Sequence, residues 1–197
     1  MSDQTPTAAD ARITAIRPLE TNLEDISIRR AQEEDLDPIW DIFHAHLATG
    51  ETYAFEAHTP KSVCDEYWLG PNVDSFVAVD QAGRVFGMYR IAPNQPGRGA
   101  HVANASYMVS GAAQGKGIGY LMGRHSLIEA RRLGYLAMQF NYVISTNQPA
   151  VALWRKLGFS IAGTLPKAYR HERLGYVDAL VMYQLLSDPD SWPGRAA

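Results

Sequence analysis

The sequence predicts an α/β (α+β) domain in which helices cover both faces of one mixed sheet. Three observations lead to this prediction. Strand-like and helix-like segments follow one another in the order β-αα-βββ-α-β-α-ββ. Glycines cluster where a long strand-like run passes into a helix-like run. A chain of 197 residues with 46% apolar and 20% charged residues is long enough for one domain with a sizeable core.

The first half of the chain is predicted to contain three strands and two helices after a polar arm. The arm, residues 1–25, contains two prolines. The domain itself is expected to cover 26–190, and residues 191–197 form a tail. The predicted elements are a strand at 26–29, helices at 33–48 and 62–69, and strands at 74–80 and 84–91. The first helix has one apolar face, made of Leu36, Ile39, Trp40, Phe43 and Leu47.

The second half is predicted to contain four strands and two helices. These are a strand at 101–109, a helix at 118–133, a strand at 137–144, a short helix starting at Asn147, and strands at 160–164 and 176–186. Residues 166–175 are expected to form a long connection between the last two strands. His125 falls on the same helical face as Ile118, Leu121 and Ile128, which indicates a packing role. The strand–helix–strand portion should cross over right-handed.

Composition excludes several classes of function. Eighteen basic against 21 acidic residues give a net charge of −3, whereas a general nucleic-acid binder would have a basic surplus. No apolar run approaches the roughly 18 residues of a membrane-spanning helix, and no signal peptide is visible. Cys64 is the only cysteine, so an internal disulfide is impossible and a reducing cytoplasm is compatible. The histidines are too scattered for a metal site.

The strand-to-helix junction predicts a phosphate site. Glycine allows backbone angles that other residues resist, and the first amides of a helix point outward with partial positive charge. The junction reads Gln114-Gly115-Lys116-Gly117-Ile118-Gly119. It is one residue short of a Walker A loop and lacks the hydroxyl that would bind magnesium. A dinucleotide fingerprint fails too, because Tyr120 stands where its last glycine should be.

A third pattern, Gln/Arg-x-x-Gly-x-Gly/Ala, is met by Gln114, Gly117 and Gly119. A second block follows about thirty residues later and reads Asn147-Gln-Pro-Ala150-Val-Ala-Leu153-Trp154-Arg-Lys156-Leu-Gly158-Phe159. With both blocks in this order, the chain resembles the GNAT acetyltransferase superfamily over about residues 26–186. The resemblance implies a mostly antiparallel central sheet and acetyl-CoA as co-substrate, with no metal. It implies acetyl-CoA contacts at Met108, Val109, Gln114, Gly115, Lys116, Gly117, Ile118, Gly119, Tyr120, Asn147, Ala150, Trp154 and Lys156.

One residue departs from the superfamily pattern. Trp154 stands where many members have a tyrosine that is commonly proposed to protonate the departing thiolate. An indole N–H can donate a hydrogen bond but is no useful acid. The general acid is therefore unassigned, and the thiolate can leave without one because its conjugate acid is an ordinary thiol.

Two asparagines are the candidate catalytic and substrate-binding residues. Asn104 and Asn141 are predicted on adjacent central strands, and buried amides need partners. They either cap strand ends or face the acceptor site. The blocks at residues 92–97, 103–109, 138–141 and 175–179 resemble those of a GNAT subgroup of bacterial and fungal proteins. This subgroup includes the fungal enzyme that acetylates azetidine-2-carboxylate and related proline analogues. In that enzyme two asparagines handle the substrate, and the resemblance places them at Asn104 and Asn141. Tyr53, in a loop that could cover the acceptor site, is the third candidate.

The residues leave three functions open. The first is an acetyl-CoA-dependent N-acetyltransferase that transfers acetyl to the amine of a small molecule, such as an amino or imino acid, by direct attack of that amine in a ternary complex. The second is a non-catalytic acyl-CoA-binding or sensor domain, favoured by Trp154 and by the lack of a carboxylate in the strand at 101–109. The third is a protein N-acetyltransferase. A homodimer is plausible from the resemblance and from the apolar stretch 179–186.

Overall fold

The computed structural model describes residues 23–188, which fold around one sheet. Its strands are β1 (Ser27–Arg30), β2 (Asp74–Val79), β3 (Val85–Pro93), β4 (Val102–Val109), β5 (Ala137–Ile144), β6 (Ser160–His171) and β7 (Gly175–Leu185). Its helices are α1 (Leu36–Leu47), α2 (Lys61–Leu69), α3 (Ile118–Arg132) and α4 (Gln148–Lys156). The predicted tail and most of the predicted arm lie outside the described residues.

The sheet is mostly antiparallel and mixed, as predicted. Its seven described strands lie in the order β1-β2-β3-β4-β5-β7-β6, and only β4 and β5 pair in parallel. One apolar core lies between the sheet and helices α3 and α4, with Phe76, Met122 and Phe140 at its centre. A second core lies between the sheet and helices α1 and α2, around Phe43 and Trp68. The prediction that helices cover both faces is therefore confirmed.

Strands β4 and β5 separate after a short parallel ladder. Their pairing covers only Val102–Asn104 of β4 against Ala137–Gln139 of β5. Beyond these pairs the neighbouring edges of the two strands face a gap in the middle of the sheet. The register of β5 against β7 also shifts between Phe140 and Val143, which is a β-bulge. Bulges redirect side chains and are common beside active sites.

The predicted connection at 166–175 is wrong, because β6 continues to His171 and only a tight turn separates it from β7. Pro166 and an irregular register between Leu165 and Tyr169 hide the continuity of this strand. Proline is tolerated here because β6 is an edge strand, whose outward N–H groups have no ladder partner. Few of its residues are buried, so the sequence lacks the alternation typical of a half-buried strand.

The packing face of α3 also differs from its prediction. Ile128 is 57% exposed, whereas the buried face contains Ile118, Met122, Leu127 and Ala130. His125 still packs, as predicted, because its ring lies beside Phe76 and Tyr89 of the sheet. The apolar stretch 179–186 is explained within the chain, since β7 lies between β5 and β6. No helix in the described range is long and apolar enough to cross a membrane.

Candidate active site

A cavity of about 360 Å³ opens at the gap between β4 and β5. Five elements form its walls: the loop after α1, one residue of α2, the two separated strands β4 and β5, and α4 with its N-cap. The lining residues are Thr52, Tyr53, Ala54, Phe55, Tyr67, Asn104, Ala105, Ser106, Tyr107, Phe140, Asn141, Tyr142, Val143, Ile144, Asn147, Ala150 and Trp154. No side chain in this lining carries a formal charge at neutral pH.

The glycine-rich loop lies between β4 and α3 and has the backbone geometry of an anion site. Gly115 and Gly117 adopt φ angles of 75° and 83°, where other residues are strained. The first bond of the helix runs from Leu121 N–H to Gly117 O, at 3.0 Å. The amides of Ile118 to Tyr120 precede this bond and therefore point out of the helix N-terminus. Open space surrounds the Cα of Gly115, so a ligand can approach the backbone closely.

Gly119 serves the packing of two helices, whereas Gly115 and Gly117 shape the loop. A Cβ at this position would lie 3.3 Å from Leu153 Cδ2, so the glycine lets α3 approach α4. On the same side of the two helices, the Lys156 ammonium lies 4.6 Å from the centroid of the Tyr120 ring. The positive charge of Lys156 is thereby held near the start of α3, next to the predicted phosphate loop.

The start of α4 forms one end of the cavity. Asn147 caps the helix by accepting a hydrogen bond from Ala150 N–H at 3.2 Å, as its sequence position predicts. Two turns after Asn147, Trp154 is 7% exposed and packs against Tyr107 and Phe140, with ring centroids 4.6 and 4.7 Å away. The structure thus brings the second sequence block, 147–159, against the strand that precedes the first block.

Backbone groups of β4 face the gap at alternate residues. Tyr107 N–H donates to the Tyr53 hydroxyl at 3.0 Å, and that hydroxyl donates to Tyr107 O at 2.8 Å. His46 Nε2 lies 2.8 Å from Val109 O. Ser110 N–H instead donates to Phe86 O at the β3 side. Because backbone direction alternates along a strand, Tyr107 and Val109 face the gap and Met108 faces β3.

Two tyrosine hydroxyls in this region are held neutral. Burial, reinforced by the neighbouring Tyr67, raises the pKa of Tyr53 far above its ordinary value. Burial also raises the pKa of Tyr107, although the bond between its hydroxyl and Ser126 Oγ, 2.6 Å long, opposes the shift. Both phenols therefore act as hydrogen-bond donors at neutral pH.

Asn104 and Asn141 meet in the cavity wall through a chain of amides. Asn104 Nδ2 donates to Gln139 O at 3.0 Å, at the last pair of the β4–β5 ladder. Gln139 Nε2 donates to Asn141 Oδ1, and Asn141 Nδ2 donates to Asn94 Oδ1, both at 2.7 Å. Asn141 lies in the β5 bulge and is exposed. Both interpretations of these asparagines therefore describe the structure: they bond to neighbouring groups, and they line the same cavity.

The family model for the "Acetyltransferase (GNAT) family" matches residues 38–159, which include the loop, the gap and α4. This chain belongs to the GNAT acetyltransferase family. It is 29% identical to N-acetyltransferase aca1 of Schizosaccharomyces pombe, over 76% of this chain and 79% of that protein. It is 30% identical to an L-methionine sulfoximine/L-methionine sulfone acetyltransferase of Pseudomonas aeruginosa, over 83% of this chain and 95% of that protein.

The fold agrees with this relationship. A solved GCN5-related N-acetyltransferase from Kribbella flavida superimposes with a TM-score of 0.79 and 40% identity, over 82% of this chain and 98% of that one. GNAT members take the acetyl group from acetyl-CoA, and the site fits that co-substrate. The loop amides can hold the phosphates of acetyl-CoA, and the edge of β4 that faces the gap can pair with its extended pantetheine arm. No cluster of metal-binding side chains occurs among residues 23–188.

Four residues in or next to the cavity wall escaped the sequence analysis: Tyr67 and Ser106, which line the cavity, and their neighbours His46 and Arg90. Tyr67 Oη lies 2.5 Å from Ser106 Oγ, although 39 residues separate the two along the chain. His46 and Val109 are 63 residues apart. No local pattern marks any of the four, since each lies on an ordinary helix or strand. The packing of α1 and α2 onto the sheet brings His46 and Tyr67 to β4, where Ser106 lies, and the pairing of β3 with β4 places Arg90 opposite Ser106.

Proposed function

We propose that this enzyme transfers acetyl from acetyl-CoA to the amine of a small amino or imino acid. The observation that carries the proposal is the neutral cavity at the β4–β5 gap, with Asn104 and Asn141 together in its wall. Amides bind both ammonium and carboxylate groups without adding charge. A cavity of about 360 Å³ is near the lower end of the range for small-ligand sites.

The relatives support the same substrate class. The Pseudomonas aeruginosa protein is named for two amino-acid analogues, methionine sulfoximine and methionine sulfone, and 95% of its length is covered. An acceptor of this kind carries its amine next to a carboxylate. The asparagines of β4 and β5 lie on the side of the sheet that α1 and α2 cover, across the gap from α4.

Catalysis is assigned to a fixed backbone donor. The gap-facing amide of Val109 is fixed in its strand and does not need to reorganise as negative charge develops on the acetyl oxygen, whereas the Tyr107 amide already donates to Tyr53. Met108 contributes packing instead, because its backbone faces β3 and its side chain is buried. The Tyr53 hydroxyl accepts from the Tyr107 amide and donates to Tyr107 O, so it orders this edge of β4 rather than binding the acetyl oxygen.

The proton steps follow from the neutral lining. The amine nitrogen attacks the acetyl carbon, the carbon–sulfur bond breaks, and the thiolate leaves with its electron pair. No carboxylate or histidine lines the cavity to take the amine proton. The acceptor must therefore react as the small neutral fraction of its amine, and its surplus proton passes to water. Trp154 supplies packing rather than a proton.

A thiol-release assay with acetyl-CoA tests this proposal. Wild-type enzyme is offered free amino acids, proline analogues, polyamines and peptides, and product masses are recorded. We expect thiol release with an amino or imino acid. Asn141→Ala should lower kcat/KM for that acceptor roughly 10- to 100-fold, the effect of removing one well-placed polar contact. The KM for acetyl-CoA should stay within about twofold of wild type.

Asn94→Ala is the matched control, because it removes the same Asn94–Asn141 hydrogen bond from the other side. A much smaller loss in Asn94→Ala would assign the effect to substrate contact by Asn141. Equal losses would show that Asn141 acts only by holding this network. Acetylation of peptides alone would replace the small-molecule acceptor with a protein, and CoA binding without any transfer would indicate a sensor domain.

A further inference from the structure

Arg90 is a cation without a counter-ion in the core-facing part of the sheet. Its guanidinium lies 4.2 Å from the centroid of the Tyr67 ring, on the side of the sheet that α2 covers. Its Nε is buried and has no hydrogen-bond partner. No carboxylate of the described chain lies within 4.0 Å of it. Arg90 as a whole is half-buried, and partly withdrawing an unpaired cation from water is unfavourable unless a ligand or solvent compensates it.

The arginines nearby on or beside the same sheet behave differently. Arg30 forms an ion pair with Asp74, and Arg84 pairs with Asp80 at 2.6 Å. Both of these side chains are 58% exposed. The lack of a partner at Arg90 is therefore particular to its position and is not a general property of the arginines around this sheet.

That position is next to the acceptor side of the cavity. Arg90 lies directly opposite Ser106 in the β3–β4 register. Side chains of such a pair start about 5 Å apart on one face, so the Arg90 side chain is a neighbour of Ser106. Ser106 and Tyr67, which bond to each other, both line the cavity, and Asn104 is the next residue of β4 on that face.

The cavity lining has no positive charge that could bind a carboxylate, which makes the nearby cation of Arg90 relevant to the acceptor. The lining carries no formal charge, so an amino acid bound there would have no cation for its carboxylate. Arg170 lines a neighbouring cavity, but it is 70% exposed and lies 3.9 Å from Glu56. A guanidinium is the side chain best suited to hold a carboxylate, because its N–H groups match the two oxygens.

We propose that Arg90 binds the carboxylate of the acceptor, beside the hydroxyls of Tyr67 and Ser106. The carboxylate supplies the counter-ion that the fold leaves out. Stacking on Tyr67, which lines the cavity, holds the guanidinium beside that wall, so the amine of an α-amino or imino acid points toward the gap edge of β4. This inference rests on the proposed function, because it requires an acceptor that has a carboxylate.

The test compares each amino-acid acceptor with its carboxamide in the wild type and in Arg90→Gln. We expect the wild type to prefer the acid. Arg90→Gln should lose roughly 10- to 100-fold in kcat/KM for the acid, mainly through KM, and less than about threefold for the amide. The kcat/KM of Arg90→Lys for the acid should lie between those of the wild type and Arg90→Gln, because lysine keeps the positive charge but lacks the paired N–H groups of the guanidinium. Arg84→Gln, which changes an exposed arginine in the turn before β3, is the control and should match the wild type.

The outcomes separate this inference from the proposed function. Equal losses for acid and amide in Arg90→Gln, with a lowered melting temperature, would make Arg90 a structural residue. An unchanged preference for the acid would place the carboxylate elsewhere. In both cases the amino-acid transferase stands and the inference fails. A wild-type enzyme that acetylates only amines without a carboxylate would overturn both proposals.

Discussion

At the scale of single residues, His125 shows how the core sets a protonation state. Its Nδ1 lies 2.6 Å from the Tyr89 hydroxyl, and its ring contacts Phe76 edge to face. Burial lowers the pKa of His125 below its ordinary value, although Glu129 opposes the shift. The neutral ring accepts the hydrogen bond from Tyr89, and protonation of Nδ1 would remove that acceptor.

His125 should therefore make the enzyme less stable in mild acid. The unfolded imidazole binds its proton near pH 6.5, whereas the folded one binds it at lower pH. Unfolding then takes up a proton, so the free energy of unfolding falls as pH drops through 6.5 toward the folded pKa. Urea denaturation of wild type and His125→Gln at pH 7.5 and 5.5 measures this. A loss of stability between the two pH values that is the same in both proteins would rule out His125 as its source.

Asn104 and Asn141 show what residue-level reasoning achieved. Their identity and their predicted neighbouring strands indicated a shared polar site, and the structure places both in one cavity wall. Their bonding could not be predicted, because Asn141 reaches Asn94 over 47 residues and depends on a bulge in β5. Whether either contacts a substrate stays a prediction.

At the scale of elements, the junction of β4 and α3 is the most predictable part of the site. Gly117 is the N-cap of α3 with a φ of 83°, and a Cβ there would lie 2.9 Å from Leu23 Cδ1. The positive φ of Gly117 is a local requirement for glycine, so the sequence alone revealed it, whereas the contact with Leu23 is not local. The packing of α3 on α4 is less local: a Cβ on Gly123 would lie 2.4 Å from Leu157 Cδ1.

Gly117→Ala should weaken acetyl-CoA binding. A left-handed alanine costs about 1–2 kcal/mol, so the loop will shift to relieve it and the amides will lose their alignment. We expect the KM for acetyl-CoA to rise roughly tenfold, with a smaller change for the acceptor. Gly83→Ala is the control, since its φ is 79° and it lies in open space in the β2–β3 turn. If both variants raise this KM equally, general destabilisation explains the effect.

At the scale of the whole molecule, the β6–β7 hairpin holds the loop that covers the cavity. Tyr169 Oη donates to Tyr53 O at 3.1 Å, and Glu172 N–H donates to Gly50 O at 3.2 Å. Arg173 and Glu51 form an ion pair of 2.6 Å at the surface. The hairpin thus positions Tyr53, more than a hundred residues earlier in the chain, against the gap edge of β4.

Tyr169→Phe should therefore affect the acceptor side from a distance. The variant keeps the ring and leaves Tyr53 O without its donor, which costs about 1 kcal/mol of stability. We expect the KM for the acceptor to rise a few-fold, while the KM for acetyl-CoA stays unchanged. Arg173→Gln removes only an exposed ion pair and should change stability by less than about 0.5 kcal/mol. Steady-state kinetics and thermal melts measure both, and equal effects in the two variants would contradict this role of Tyr169.

The predicted homodimer rested on the resemblance and on one apolar stretch of the sequence. The apolar stretch 179–186 suggested a dimer contact, but Ala179, Leu180 and Met182 are buried within the chain's own sheet. The homodimer and the cytoplasmic location stay predictions. Apolar stretches alone cannot distinguish an interior strand from an interface, because both exclude water in the same way.

The sequence by itself determined the features that depend on neighbouring residues. Periodicity predicted each helix and strand except the end of β6, and the two glycine and asparagine blocks indicated the family and its phosphate loop. Tertiary structure decided what depends on distant contacts: the gap after Asn104 and Gln139, the neutral cavity, and the unpaired Arg90 beside Ser106. Local conformation is set by local sterics and hydrogen bonding, whereas charge and burial in a site depend on every element packed around it.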